Sequence, residues 1–163
     1  MFKSVLAILL IVSVCLAGNA REFISPNKLV KAIVRNFNEG GTIVESQIRF
    51  VNSKGKAVLK ERFTSTDSEH GFGIIQAEWT SDSRYFGFCM RNSGEHQPWH
   101  VPTSVYSVTD NRIFSIDDLF GPVTAGSFRI LSSDSLETSI LNPGNDSSKT
   151  IFIQLSSLST KRK

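Results

Sequence analysis

The sequence predicts an all-β domain built from antiparallel meander sheets. In several short stretches of the chain, apolar and polar residues alternate with a period of two. Clusters of turn-forming residues separate these stretches. No long segment shows the 3.6-residue period of an amphipathic helix. Sheets of this kind must bury their apolar faces on each other, so we expect a two-sheet sandwich or an incomplete propeller of two blade-like units.

The first 20 residues have the form of a cleaved signal peptide. Lys3 gives a short positive region, residues 5–17 are almost wholly apolar, and small residues end the segment at Ala20. A lipoprotein processed at Cys15 is disfavoured because Val14 stands where a small residue is expected. The apolar run is short for a bilayer span, so we expect no stable membrane anchor after cleavage and an exported, periplasmic or extracellular protein.

Residues 21–163 are expected to form a single β domain with a frayed basic tail from residue 157 onward. This part of the chain retains one cysteine, Cys89, so it cannot form an intramolecular disulfide. Without Lys3 it holds 17 Lys and Arg against 15 Asp and Glu, and residues 161–163 supply three of those cations. The body is therefore close to neutral, and we expect no basic stripe and no nucleic-acid partner.

The strands of the first half follow from periodicity and turn signals. A strand is predicted at 29–35, and a hairpin joins strands at 42–51 and 56–63 through a turn at 52–55, where Gly55 can take positive φ. The period of two places Val44, Ser46, Ile48 and Phe50 on one face and Glu45, Gln47 and Arg49 on the other. Lys28, Lys31 and Arg35 are expected at solvent-facing or edge positions, where lysines discourage aggregation.

The second half predicts a four-stranded meander followed by weaker elements. Its strands are expected at 72–79, 84–90, 103–109 and 112–116, with a polar turn at 80–83 and a two-residue hairpin turn at 110–111. Residues 115–120 have the pattern of one helical turn that Gly121 and Pro122 end. Further strands are predicted at 127–131, 136–141 and 150–155.

Residues 79–88, with the sequence Trp-Thr-Ser-Asp-Ser-Arg-Tyr-Phe-Gly-Phe, resemble the blade repeat of Tol-B-type β-propellers. The matching positions are Trp79, Asp82, Arg84, Tyr85 and Phe88, whereas Ser81 and Ser83 replace the proline and glycine of the repeat and imply a looser turn. The resemblance implies four-stranded antiparallel blades and a role in interaction more than in chemistry. A closed propeller needs 4–8 blades, which is more than this chain can form.

The loop at 92–102 is the first candidate for a functional site. Pro98 and Pro102 stiffen it, and Trp99 offers the flat, amphipathic side chain that often anchors protein interfaces. The candidate binding residues are Glu95, His96, Gln97, Trp99 and His100, together with Asp67, Glu69 and His70 of an earlier loop. The structural alternative is that Trp99 folds back to seal one end of the sandwich while the two histidines of this loop bind backbone carbonyls.

Metal and enzyme chemistry have weaker support in the sequence. His70, His96 and His100 would form an alternative metal set if the two loops met, but Pro98 prevents a helix from pairing His96 with His100. Cys89 lies in an aromatic strand and is expected to be a buried, inert thiol. No nucleophile elbow, zinc-protease motif or phosphate loop is present, so we expect no cofactor and lean against an enzyme.

The sequence therefore favours an exported, non-enzymatic binding protein with a protein partner. An inhibitor or immunity-type factor acting through residues 92–102 is the specific form of this hypothesis. The alternative is a small metal- or ligand-dependent hydrolase that uses His70, His96 and His100.

Overall fold

The computed structural model describes residues 20–37, 45–94, 96–124, 126, 128–142, 144 and 147–160. The predicted signal peptide, Val44, Glu95 and the last three basic residues lie outside the described residues, apart from Ala20 itself. Among the helices of the described part, none is long and apolar enough to cross a membrane.

Three antiparallel sheets follow one another along the chain. The first sheet contains β1 (Ala20–Ile24), β2 (Val30–Phe37), β3 (Glu45–Asn52) and β4 (Ala57–Arg62). The second contains β5 (Phe72–Trp79), β6 (Tyr85–Asn92), β7 (Thr103–Ser107) and β8 (Arg112–Ser115). The third contains β9 (Arg129–Ser132), β10 (Ser135–Leu141) and β11 (Ser148–Gln154). The short helix α1 (Ile116–Phe120) links the second and third sheets, and a 3-10 helix (Leu155–Thr160) follows β11.

The all-β, antiparallel meander architecture is confirmed. Within each sheet the spatial order of the strands follows the order of the sequence, so every pairing joins consecutive strands. The strands predicted beyond the first two sheets form a third sheet of their own. The predicted helical turn is also confirmed, because Ser115 caps α1 through its hydroxyl and Gly121 ends the helix at φ 109°.

The second sheet is buried on both faces. Toward the first sheet, Phe86 and Phe88 pack with Ile48 and Phe50. On the opposite face, the second sheet packs on α1, the third sheet and the 3-10 helix. The residues of this second cluster include Tyr85, Cys89, Val105, Phe114, Ile116, Phe128, Leu136, Ile153, Leu155 and Leu158. The alternation of side chains along β6 thus supplies two separate cores.

Gly87 of β6 lies against the ring of Phe128, the residue that precedes β9. A Cβ at this position would lie 2.5 Å from Phe128 Cζ and 2.7 Å from Phe128 Cε2. Because Gly87 has no side chain, the Phe128 ring can rest on the backbone of β6 and remain only 6% exposed.

The turn between β5 and β6 connects the first two sheets. Ser83 has φ 67°, which is unusual for a residue other than glycine, and its hydroxyl accepts a 2.9 Å hydrogen bond from the Asn27 amide. Asp82 accepts hydrogen bonds from the Thr80 hydroxyl and the Arg84 amide. Ser83 thus has an unfavourable backbone conformation, and its hydroxyl joins the β5–β6 turn to the β1–β2 turn.

The predicted two-residue turn at 110–111 is wrong. Strand β7 ends at Ser107, and four residues precede β8, with Asn111 at φ 48°. The Ser107 hydroxyl donates to Asp110 Oδ2 at 2.7 Å and accepts from the Asp110 amide at 3.2 Å. These side-chain hydrogen bonds stop the strand two residues early, as serine and aspartate often do in turns.

The predicted frayed tail from residue 157 is also wrong as far as residue 160. Residues 155–160 form a 3-10 helix in which Leu155 and Leu158 are completely buried in the core. Asp134 holds the start of this helix by accepting hydrogen bonds from the Ser156 amide at 2.7 Å and the Ser156 hydroxyl at 2.8 Å. The serine-rich composition of residues 155–160 favours a solvated end, but burial of the two leucines fixes this segment on the core.

The outward face of the first sheet is strongly basic, so the prediction of no basic stripe is wrong for this sheet. The strand register pairs Gln47 with Arg35 on one side and Arg62 on the other, and it pairs Arg49 with Lys60. Lys31 shares this face and pairs with Glu22 at 3.1 Å. We refer to Lys31, Arg35, Arg49, Lys60 and Arg62 as the basic face. These cations are scattered along the sequence, and only the pairing of three strands brings them together.

Candidate functional site

The two loops that carry the predicted site meet at one end of the first and second sheets. The 63–71 loop joins β4 to β5, and the 92–102 loop joins β6 to β7. Their bases are tied together by a hydrogen bond from the Ser93 amide to the Gly71 carbonyl at 2.9 Å. The Phe72 amide closes the first loop by donating to the Phe63 carbonyl at 2.7 Å.

Glu45, the first residue of β3, is the buried anchor of both loops. Its side chain is completely buried, and its carboxylate accepts hydrogen bonds from the Ser65 amide (2.8 Å), the Ser65 hydroxyl (2.5 Å), the Gly71 amide (2.9 Å) and the Ser93 hydroxyl (2.9 Å). Burial alone would raise the pKa of Glu45, but these hydrogen bonds stabilise the carboxylate and leave the pKa below its ordinary value. Glu45 therefore fixes three points of the two loops while remaining ionised.

Two glycines allow the loops to approach this closely. A Cβ on Gly71 would collide with the Glu45 carboxylate and with the Phe63 carbonyl oxygen. A Cβ on Gly94 would lie 2.5 Å from the Glu69 carbonyl oxygen and 2.6 Å from His96 Nε2. Gly94 is thus the position at which the backbone of one loop touches the other.

His70 and His96 stack on each other across this junction. Their ring centroids are 5.5 Å apart, with an angle of 25° between the planes. Asp67 Oδ2 lies 2.6 Å from His70 Nδ1 and fixes the orientation of that ring. The hydrogen bond from the Glu69 amide, together with the contact from the His70 ring, holds the pKa of Asp67 well below its ordinary value. Both members of the Asp67–His70 pair are exposed to solvent.

Trp99 is presented to solvent on a second anchor. The indole is 44% exposed and stacks on His100 with ring centroids 5.4 Å apart. His100 Nε2 lies 2.7 Å from Asp117 Oδ1, and the Asp117 carboxylate also accepts hydrogen bonds from the Thr103 amide at 2.8 Å and the Val123 amide at 3.0 Å. Trp99 therefore does not fold back to seal the sandwich. Instead, α1 holds the ring on which Trp99 rests.

The structure divides the predicted site residues into two groups. Asp67, Glu69, His70 and His96 come together at the junction of the loops. His100 turns away to Asp117 and supports Trp99, so the three histidines do not form one cluster. Gln97 is exposed between the groups, and its carbonyl accepts a 3.0 Å hydrogen bond from the His100 amide.

The described residues contain no group of three or more His, Cys, Asp or Glu side chains that could hold a metal ion. The proposed set of His70, His96 and His100 therefore lacks the convergence that zinc coordination requires. Cys89 is 3% exposed, so the predicted burial of this thiol is confirmed, and burial raises its pKa to about 11, which disfavours the reactive thiolate.

Two carboxylates that build the site, Glu45 and Asp117, are not apparent from the sequence. Glu45 stood in an alternating strand pattern that assigned it to a polar face, and Asp117 stood in the first turn of a short helix. Both are acceptors for backbone amides of distant loops, which no local pattern reveals. One local signal was present for Asp117. It lies two residues after the N-cap Ser115, so its place in the first turn of a well-defined helix was predictable.

No protein-family model matches this chain, and no curated protein matches it significantly.

Proposed function

We propose that the protein is an exported, non-enzymatic binding protein whose two loops engage a protein partner. The proposed contact surface, which we name the loop surface, consists of Asp67, Glu69, His70, His96, Gln97 and Trp99. The observation that carries the proposal is that Trp99 is 44% exposed while its ring rests on an imidazole held by Asp117. Tryptophan is among the residues that most often dominate binding energy in protein interfaces.

The loop surface is organised before any partner arrives. The buried carboxylate of Glu45 holds the start of the 92–102 loop through Ser93, and Asp117 holds its end through His100 and Thr103. Anchoring at both ends reduces the conformational entropy that the loop loses on binding, and this preorganisation favours affinity. A stiff loop with a projecting aromatic side chain suits insertion into a partner's cleft, which supports an inhibitor or immunity-type role.

The first prediction concerns a photo-crosslinking amino acid placed at Gln97. In the cells that naturally produce the protein, we expect this probe to capture one discrete protein. Adding Trp99→Ala to the probe-bearing chain should reduce the capture about thirtyfold, which is the scale of a strong interface residue. The melting temperature should change little, because Trp99 is largely solvent-exposed.

The matched control is the same probe at Lys149, which is exposed on the third sheet. It should not capture the protein that the Gln97 probe captures. Equal capture by both probes, or capture that persists in the Trp99→Ala chain, would show that the loop surface is not the binding surface.

A second candidate is the small hydrolase, and the pairing of Asp67 with His70 favours it. A carboxylate that orients an imidazole is a recurring part of acid–base sites. The discriminating measurement is the hydrolysis of ester and peptide substrates by the purified protein. Turnover that is lost on His70→Ala would support the hydrolase, whereas no turnover by the parent protein would remove this candidate.

A further inference from the structure

The basic face of the first sheet concentrates positive charge that the rest of the chain does not share. It holds five cations, with Glu22 as the exposed carboxylate. Glu45 follows the same strand alternation, but its carboxylate is buried under the loops. Of the chain's 18 Lys and Arg and 15 Asp and Glu, the remaining 13 cations and 14 carboxylates carry a net charge of −1, against +4 for this face.

These cations are available to an external partner. Arg35, Lys60 and Arg62 are exposed, and Arg49 is half-buried. Within the described residues no ion pair joins any of these four to a carboxylate; Arg62 instead donates to Gln47 Oε1 at 3.0 Å. Cations kept apart from carboxylates on one surface attract anionic partners over a distance of about 10 Å at moderate salt.

An apolar groove borders the basic face at the end where β1 and β2 meet. Its volume is about 510 Å³, and its lining includes Ile24, Leu29 and Val51 together with Lys28 and Lys31. Ile24 is 60% exposed and Leu29 is 58% exposed. Two large exposed aliphatic side chains beside two lysines are a combination that suits insertion into the headgroup region of a membrane.

We propose that the basic face and the groove bind the surface of an anionic lipid bilayer. The cations would lie against the headgroups while Ile24 and Leu29 enter the acyl boundary. Single-stranded nucleic acid is the other polyanion to consider, but it is bound largely through bases stacking on aromatic side chains. The exposed apolar residues beside the lysines are aliphatic, and Phe37 lies at the opposite end of β2, so the lipid surface fits better.

The position of this face is compatible with the loop surface. Strand β2 runs for eight residues from the groove at Val30 to Phe37 near the 63–71 loop, a length of roughly 25 Å. The groove and the 63–71 loop therefore lie at opposite ends of the first sheet, and a bilayer that takes up Ile24 and Leu29 would be centred on the groove end. The lipid proposal does not require that the loop surface binds a protein.

The test is vesicle sedimentation of the protein as it is recovered from expression of the full chain, with its N-terminus identified by mass spectrometry. Phosphatidylcholine vesicles are compared with vesicles that also contain phosphatidylglycerol. We expect binding that depends on phosphatidylglycerol and weakens with salt. Arg49→Gln with Lys60→Gln should lower the partition coefficient about thirtyfold, because each basic residue near an anionic surface strengthens binding about fivefold.

Two further variants separate the possible results. Arg129→Gln with Lys149→Gln removes two exposed cations of the third sheet and should leave partitioning unchanged. Ile24→Ser with Leu29→Ser should lower it about tenfold through lost apolar burial. Equal binding to both vesicle types, or full binding by Arg49→Gln with Lys60→Gln, would overturn the proposal. So would stronger binding to an oligonucleotide that is insensitive to the Ile24 and Leu29 substitutions.

Discussion

Replacing Glu45 by alanine is expected to lower the free energy of unfolding by roughly 3–4 kcal/mol, because the amides of Ser65 and Gly71 would lose their buried acceptor. The two serine hydroxyls can rotate to new partners, but the amides cannot. For a domain of this size, the loss corresponds to a drop of roughly 10 °C in melting temperature. Urea denaturation of the variant and the parent protein measures the effect directly.

The control for this prediction is Glu22→Ala. Glu22 also accepts hydrogen bonds from a partner, Lys31, but its side chain is 46% exposed. An exposed ion pair of this kind contributes at most about 1 kcal/mol, so the control should lose much less stability than Glu45→Ala. Similar losses in the two variants would mean that the buried carboxylate does not hold the loops together.

The contribution of Glu45 also has a defined dependence on pH. Its pKa is lower in the folded protein than in the unfolded chain, so its stabilisation is present above the unfolded pKa and is lost as the pH falls through the folded pKa. Asp82 and Asp134 have shifts of the same direction and add to the acid sensitivity. The unfolding free energy of Glu45→Gln should therefore fall less steeply than that of the parent between neutral and acidic pH.

Substituting alanine for Gly87 is expected to destabilise the fold by about 2–3 kcal/mol. The new methyl group would occupy the space of the Phe128 ring, whose Cζ would lie 2.5 Å away. Because β6 is the second strand of the buried central sheet, its backbone has little room to shift. The ring must move instead, and the packing between the second and third sheets loosens.

A double-mutant cycle with Phe128→Leu tests the cause of this effect. Phe128→Leu should lower the free energy of unfolding of the parent protein, and it should lower that of the Gly87→Ala variant much less. The expected coupling energy between the two substitutions is about 1 kcal/mol. If the two substitutions lower the free energy of unfolding by strictly additive amounts, the Gly87→Ala strain does not act on the Phe128 ring. Denaturant unfolding of the four proteins provides all the required values.

Most elements of the fold could be predicted because their signals are local. Strand β5 occupies the predicted residues, and the β3–β4 hairpin turns at Gly55 with φ 78°, as expected. The aromatic residues of β6 build the core, as their density indicated. Strand β1 was missed because its five residues have a weak pattern of their own and acquire a partner only in β2.

The site was only partly predictable because its geometry depends on contacts between distant residues. The two loops that the sequence indicates as the site, around His70 and around His96, do meet in the structure, where these two imidazole rings stack. The separation of His100 could not be seen, since it depends on Asp117 of α1, 17 residues further along the chain. The basic face escaped notice for the same reason: its cations come from three strands whose register no single segment encodes.

The sequential order of the three sheets has a consequence for how the chain acquires its structure during synthesis. Every hairpin can close as soon as its second strand emerges, so the first two sheets can pair before the third exists. The far face of the central sheet, however, is covered by residues from 123 to 158, which are made last. Until then, Val105 and Phe114 present an uncovered apolar surface to other nascent chains, a state in which premature termination or slow translation would favour aggregation.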